Sequence, residues 1–202
     1  MEIRKIVSPG MDQNAYILSS RGEGIIVDAG GSAEKIIEAA KDLKIKCILL
    51  THGHFDHVLA VNRVKEALSC QVWISEGDAH MLSDHSSSFG DMYGVAYEKI
   101  ECEKQLSDGD EITFGGAKLI CIETPGHSPG SMCYLGGGIL LSGDMIFRGT
   151  IGRFEFPVRA DMASSLEKLW TLPESTIVYP GHGEITTIGY ELKNNPYVGM
   201  KY

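Results

Sequence analysis

Short apolar runs broken by glycine-rich turns alternate along the chain with stretches of helical spacing. Residues 2–8, 13–19 and 24–28 are brief and rich in Ile, Val and Leu, with turns at Ser8-Pro9-Gly10 and Arg21-Gly22, which predicts three strands. After Ser32, Ile36, Ile37, Ala39, Ala40 and Leu43 recur at helical intervals, so an amphipathic helix N-capped by Ser32 is expected. Residues 46–50 and 71–75 read as apolar strands on either side of a helix over 58–68. The second half repeats the theme. Strands are expected near 111–114, 117–123, 131–135 and 138–142, then a helix near 161–171 and a strand at 176–179. Strand-rich stretches with helices between them predict an α+β chain, two sheets face to face with helices outside. Residues 83–100 fit neither period. They are polar and Gly-containing yet carry Phe89, Met92, Tyr93 and Tyr97, so a solvent loop and a pocket wall are equally open readings.

Composition narrows the class. With 202 residues, 43% of them hydrophobic, the chain can bury a sizeable core, and 1–202 is read as one domain. The 24 glycines suit many strand-end turns. A net charge of −9 opposes binding to a phosphate backbone, so no nucleic-acid partner is expected. No apolar run approaches the ~20 residues that span a bilayer, and Met1-Glu2-Ile3-Arg4-Lys5 opens no signal peptide. Five cysteines without a Cys-x-x-Cys pair, three of them (Cys47, Cys121, Cys133) in apolar runs, point to a reducing cytoplasm.

The chemistry is concentrated at residues 51–57, Thr-His-Gly-His-Phe-Asp-His, which hold three of the seven histidines. In extended backbone, side chains at i and i+2 share a side, so His52 and His54 can reach one ion. A turn before the next helix would aim Asp56 and His57 at a neighbouring position. Three later segments share a layout of strand, tight turn and ligand-type residue. They are Thr124-Pro-Gly-His-Ser-Pro-Gly with His127, Ser142-Gly-Asp-Met with Asp144, and Tyr179-Pro-Gly-His-Gly with His182. Strand ends of this kind are where open α/β folds place their sites. Five histidines and two aspartates without thiolate suit a borderline or hard divalent ion. Seven donors exceed one tetrahedral ion. They fit two, with His52, His54 and His127 on one, Asp56, His57 and His182 on the other, and Asp144 bridging.

The order His-x-His-x-Asp-His, His, Asp, Gly-His-Gly, spread from residue 51 to 183, resembles the metallo-β-lactamase superfamily of binuclear metallohydrolases. The wording around these residues, with Asn14-Ala15-Tyr16 and Val27-Asp28-Ala29-Gly30, is most similar to the glyoxalase II (hydroxyacylglutathione hydrolase) type. The resemblance implies an αββα four-layer sandwich and hydrolysis of an acyl thioester, such as S-lactoylglutathione, by a hydroxide that two divalent ions generate from water. Zinc is the expected metal, with iron and manganese as alternatives. Asp56 would orient the hydroxide, Asp28 would hold a ligand histidine in place, and Arg153 would contact the substrate's thiol side. No protein nucleophile is needed.

Two departures from the family pattern qualify the substrate. The commonest metallo-β-lactamases carry Cys where this chain has Asp144, which disfavours antibiotic hydrolysis. Glyoxalase II enzymes continue past residue 183 into a helical extension that binds glutathione. Here Glu184 to Tyr202 has only Lys193 and Lys201 as cations, so no such separate domain is expected. Two alternatives stay open. One is a mononuclear iron persulfide dioxygenase using His52, His127 and Asp144. The other is a hydrolase module for thioesters on an acyl carrier protein. His80 and His85 match no ligand position. The oligomeric state is unread.

Overall fold

Side-chain alternation sorts the strands into layers in the computed structural model, which describes residues 1–154 and 159–200. On the strand Asn14–Ser20, Ile17 joins one apolar core while Tyr16 and Leu18 join another. The same split places Ile26 and Ile48 opposite Ile25, Val27, Cys47 and Leu49. A strand that is apolar on both faces must be covered on both.

The first sheet runs β1 (Glu2–Val7), β2 (Asn14–Ser20), β3 (Glu23–Val27), β4 (Lys44–Leu49), β5 (Gln71–Ser75) and β6 (Lys104–Leu106), side by side in that order. Its first three strands are antiparallel, and β3 to β6 are parallel. In the second sheet β7 (Glu111–Phe114), β8 (Ala117–Glu123), β9 (Met132–Gly136) and β10 (Ile139–Gly143) form an antiparallel meander. The small hairpin of β11 (Ile146–Phe147) and β12 (Thr150–Ile151) follows. Then β13 (Ile177–Pro180) joins parallel to β10, with β14 (Thr186–Thr187) at its edge.

Three cores define four layers. Ile36, Ala40, Val61 and Val64 of the helices Ala33–Ala40 and Val61–Leu68 pack on the outer face of the first sheet. Tyr16, Leu18 and Leu49 meet Phe114, Tyr134 and Leu141 between the sheets. Met162, Leu166 and Leu169 of the helix Arg159–Trp170, with Ile188 of the helix Ile188–Asn194, cover the second. Each Val, Leu, Ile, Phe or Met among these, once fully buried, contributes ~1.5–3 kcal/mol. This is the αββα sandwich. Among the described residues no helix is long and apolar enough to cross a membrane.

Several local expectations change. Ser32 precedes its helix but does not cap it: it lies at φ 53, ψ 45 and its side chain makes no capping bond. The helix expected over 58–68 is two pieces, Phe55–Val58 and Val61–Leu68, because Ala60 N donates to Ala29 O (2.9 Å) instead of continuing the ladder. Asp56 and His57 therefore sit inside a one-turn helix rather than in a turn before one. The strands β6, β11, β12 and β14 and the helices Gly90–Tyr93 and Ile188–Asn194 were not anticipated. The last of these brings part of the 184–202 tail into the outer layer, while Lys201 lies outside the described residues. The four cysteines 47, 70, 121 and 133 are buried, and none of the five is in a disulfide.

Candidate metal centre

The strand ends converge at one edge of the sandwich. His52 and His54 follow β4, Asp144 follows β10, and His182 follows β13. Close backbone approach makes room for them. A Cβ on Gly30 would overlap Asp56 O, and one on Gly181 would overlap Asp144 Oδ1 and come within 2.8 Å of His57 Cε1. The His182 turn is tied to β2: Asn14 N donates to Gly181 O (2.7 Å), while Asn14 Nδ2 (2.9 Å) and Tyr16 OH (2.7 Å) donate to Pro180 O.

All seven candidate donors are brought together. His127 Nε2 lies 2.9 Å from His54 Nδ1 and 3.2 Å from His52 Nε2. Nitrogens bound at ~2.0–2.1 Å to one tetrahedral ion stand about 3.3 Å apart, so this trio has the span of a single site. Asp56 Oδ2 lies 3.1 Å from His182 Nε2 and 3.8 Å from His57 Nε2, a second trio. Asp144 stands between them. Its Oδ1 is 3.4 Å from His57 Nε2, and its Oδ2 is 3.6 Å from His127 Nε2 and 3.7 Å from His182 Nε2.

The hydrogen bonds behind the rings fix which nitrogen is free. His127 Nδ1 donates to Arg153 O (2.7 Å), and a carbonyl can only accept, so Nε2 presents its lone pair. His57 Nδ1 donates to Asp28 Oδ2 (3.0 Å) in the same way. Thr51 Oγ1 donates its one proton to Asp28 Oδ2 (2.8 Å), so it accepts from His52 Nδ1 (3.0 Å), which frees His52 Nε2. Asp28 also accepts from Thr51 N (2.8 Å). One carboxylate thus orients a histidine of each trio.

At this centre two buried atoms, His57 Nε2 and Asp144 Oδ1, have no hydrogen-bond partner among the described residues. Buried polar groups are nearly always satisfied, and these two face each other across the cluster. A cation between them satisfies both, so the donor set fits a dinuclear metal site.

Electrostatics divides the two halves. Burial, then the rings of His127 and His57, push His54 down to about 3. Burial, with His57 the next largest influence, holds His52 well below its ordinary value. Both stay neutral, as ligands must. Burial also opposes charge on His57, but Asp144 and Asp28 outweigh it and raise the ring well above its usual range. His182 is raised against its burial chiefly by its bond to Asp56. Asp144 is held low despite burial, chiefly by His57, and Asp56 by His182. In metal-free protein the half around Asp56, His57 and His182 therefore favours positive charge, carried by protons that a bound cation would displace.

Around this centre, sequence reasoning missed Asp78. Fully buried, it accepts from Gly53 N (3.0 Å), Gly130 N (2.6 Å) and Ser128 Oγ (2.6 Å), clamping the loop of His52 and His54 to that of His127. The signal was present: Gly77-Asp78 follows strand β5 as Gly143-Asp144 ends β10. Residues 126–130, Gly-His-Ser-Pro-Gly, also match the Gly-x-Ser-x-Gly pattern of serine hydrolases. The structure removes it from consideration, because Ser128 is buried with its hydroxyl held by Asp78 and Ser131.

A cleft of about 400 Å³ opens beside His54, Asp56, His127 and Asp144, with Arg153 and Phe89 in its lining. From the 83–100 segment Phe89, Met92 and Tyr93 line it, the last two still largely open to solvent. His85 belongs to that segment's own scaffold: its ring packs on Tyr97 (4.5 Å) and its Nε2 donates to Tyr97 O (2.8 Å).

The sequence matches the profile described as Metallo-beta-lactamase superfamily over residues 9–182. It is 34% identical to the probable metallo-hydrolase YqgX of Bacillus subtilis (strain 168), with 98% of each chain covered. It is 31% identical to the hydroxyacylglutathione hydrolase GloC of Haemophilus influenzae (strain ATCC 51907 / DSM 11121 / KW20 / Rd) over the whole of both. Among solved structures, BLEG-1 B3 metallo-beta-lactamase superposes with a TM-score of 0.91 at 34% identity, covering 98% of this chain and 99% of that one. TTHA1623 in a di-iron-bound form gives 0.86 at 32%, covering 96% and 99%. By sequence, fold and the gathering of these seven side chains, the chain belongs to the metallo-β-lactamase superfamily.

Proposed function

We propose that this protein is a metal-dependent hydrolase of acyl thioesters, of the hydroxyacylglutathione hydrolase type, acting as one domain in the cytoplasm on a small-molecule substrate. The reading is carried by the two unpartnered buried atoms, His57 Nε2 and Asp144 Oδ1, at the junction of two histidine-rich trios beside an open cleft. A full-length relative named as a hydroxyacylglutathione hydrolase supports the substrate class. His52, His54 and His127 would hold one ion, Asp56, His57 and His182 the other, and Asp144 both. Zinc remains the first choice, with iron favoured by one similar protein described in a di-iron form.

Bound there, divalent ions supply water of lowered pKa and a Lewis acid for the carbonyl. The side chains do the rest. Asp56, partly open to the cleft, would accept a hydrogen bond from the attacking water or hydroxide and orient its lone pair toward the carbonyl carbon. Asp28 keeps His57 and, through Thr51, His52 in the ligating tautomer. Arg153 at the cleft offers its guanidinium to an anionic group on the thiol carrier. The departing thiolate is a weak base and needs no strong general acid.

The test is elemental analysis of the purified protein alongside hydrolysis of glutathione, coenzyme A and acyl-carrier-protein thioesters. A chromogenic β-lactam and oxygen uptake with a persulfide serve as competitors. About two ions per chain and thioester turnover are expected. Active protein that never holds more than one ion defeats the binuclear reading, and a single iron with oxygen uptake replaces it with the dioxygenase. Turnover of the β-lactam alone defeats the thioester reading.

A further inference from the structure

The cleft beside the metal centre has an uneven lining. Met11, Phe55, Phe89, Met92, Tyr93 and Phe154 supply its apolar side chains, and Arg153 is the one cation among its described lining residues. Met92 and Tyr93 are 67% and 63% exposed, the two most exposed large hydrophobics among the described residues. Exposed apolar groups scattered singly are ordinary, but a contiguous set at the mouth of a reactive centre marks a binding surface. Phe55 and Tyr93 stack at 5.0 Å, and Phe89 lies 4.8 Å from the ring of His54.

The backbone is bent to make this wall. Phe89 has φ 62, ψ 6, a conformation rare for a bulky side chain. It is held there by hydrogen bonds from Phe89 N to Ser86 O (3.1 Å) and from Phe55 N to Ser88 O (2.9 Å). Behind it the carbonyl of His85 accepts from Asp91 N (3.1 Å), and Tyr97 OH reaches Met81 O (2.7 Å). Strain that its surroundings enforce beside a reactive centre points to a role for the side chain so placed.

Resting on the thioester reading, we propose that this wall binds the acyl chain, and that the preferred substrates are thioesters of apolar aliphatic or aromatic acyl groups. A thioester has two halves. The carrier half of a cellular thioester bears carboxylates or phosphates, and setting those against Phe89, Met92 and Tyr93 would strip their water without return. The acyl half is the one that can be apolar. A short hydroxylated acyl group such as lactoyl leaves most of this wall uncovered.

The experiment uses metal-loaded protein and acetyl, butyryl and hexanoyl thioesters of a single thiol. The expected kcat/KM rises about 4-fold per methylene, the equivalent of ~0.8 kcal/mol of apolar burial, carried by KM. In the double variant Met92→Ser/Tyr93→Ser the slope falls below about 2-fold per methylene. In parallel, calorimetry measures binding of acetate, butyrate and hexanoate. A flat series in both measurements, or a slope untouched in the variant, overturns the proposal. Chain-dependent binding of the carboxylates without turnover of any thioester upholds the apolar acyl site and removes the thioester reading instead.

Discussion

Replacing Asp28 with Asn removes one charge and one acceptor from the group that orients both halves of the centre. The backbone should tolerate it, since residue 28 has φ 58 and Asn is among the few residues at ease there. Asp28 accepts three hydrogen bonds, from Thr51 N, Thr51 Oγ1 and His57 Nδ1. Asn has a single oxygen. If that oxygen faces Oδ2's partners, the amide NH2 confronts Thr51 N–H in a site 1% exposed, and leaving that donor unmade costs ~1–3 kcal/mol. If the amide turns over, it confronts His57 Nδ1, and the ring must move its proton to Nε2. That nitrogen lies 3.4 Å from Asp144 Oδ1, where the second ion is proposed to bind. Either outcome should weaken the second ion ~10–100-fold, or about 1.4–2.7 kcal/mol. Competition against a chromogenic chelator, with a thermal melt to show that the fold survives, measures it. A folded D28N protein that holds its second ion as tightly as the parent refutes the tautomer argument.

Other outcomes follow from the same geometry. Asp144→Ala should lose at least half of the bound metal and its activity while remaining folded, whereas His85→Ala should keep its full metal content; equal metal losses would mean that the site has been misread. Gly181→Ala, by pushing Asp144 and His57 apart, should cost ~100-fold or more in kcat, since misplacement by 1 Å is that costly, and unchanged kcat would contradict the packing described. Arg153→Ala should raise KM for glutathione thioesters with kcat little changed; tight saturation that survives the change would place thiol recognition elsewhere. In metal-free protein, His54 is held at about 3, below its unfolded 6.5, so below pH 6.5 the unfolded chain gains a proton that the folded one refuses. Stability should fall by ~2 kcal/mol between pH 6.5 and 5 from this residue alone. His57 and His182, raised above 6.5, near their full contribution below that pH and lose it as pH rises, so over this window they offset only part of the fall. Asp56 and Asp144 act only below their ordinary 3.8. Urea midpoints that stay flat across this window would count against the buried neutral histidines.

The sequence by itself determined the layers and the donors. Period-2 runs such as residues 13–19 and 117–123 form strands because their apolar side chains divide between the cores on the sheet's two faces. The glycine-framed turns carrying His127, Asp144 and His182 are legible because only such turns let backbones approach this closely. Tertiary structure decided what depends on distant partners. The helix over 58–68 breaks because Ala60 N finds Ala29 O, thirty-one positions away, and Ser32 loses its capping role to a left-handed backbone. Short pieces such as Lys104–Leu106 and Thr186–Thr187 carry too few residues for a period and form only against a neighbouring strand. Asp78 reads as a turn acid until its three donors from two separate loops are assembled around it. The 83–100 segment could be a loop or a wall by composition alone. Hydrogen bonds to Met81, Ser88 and Tyr97, none with a periodic signature, made it the wall.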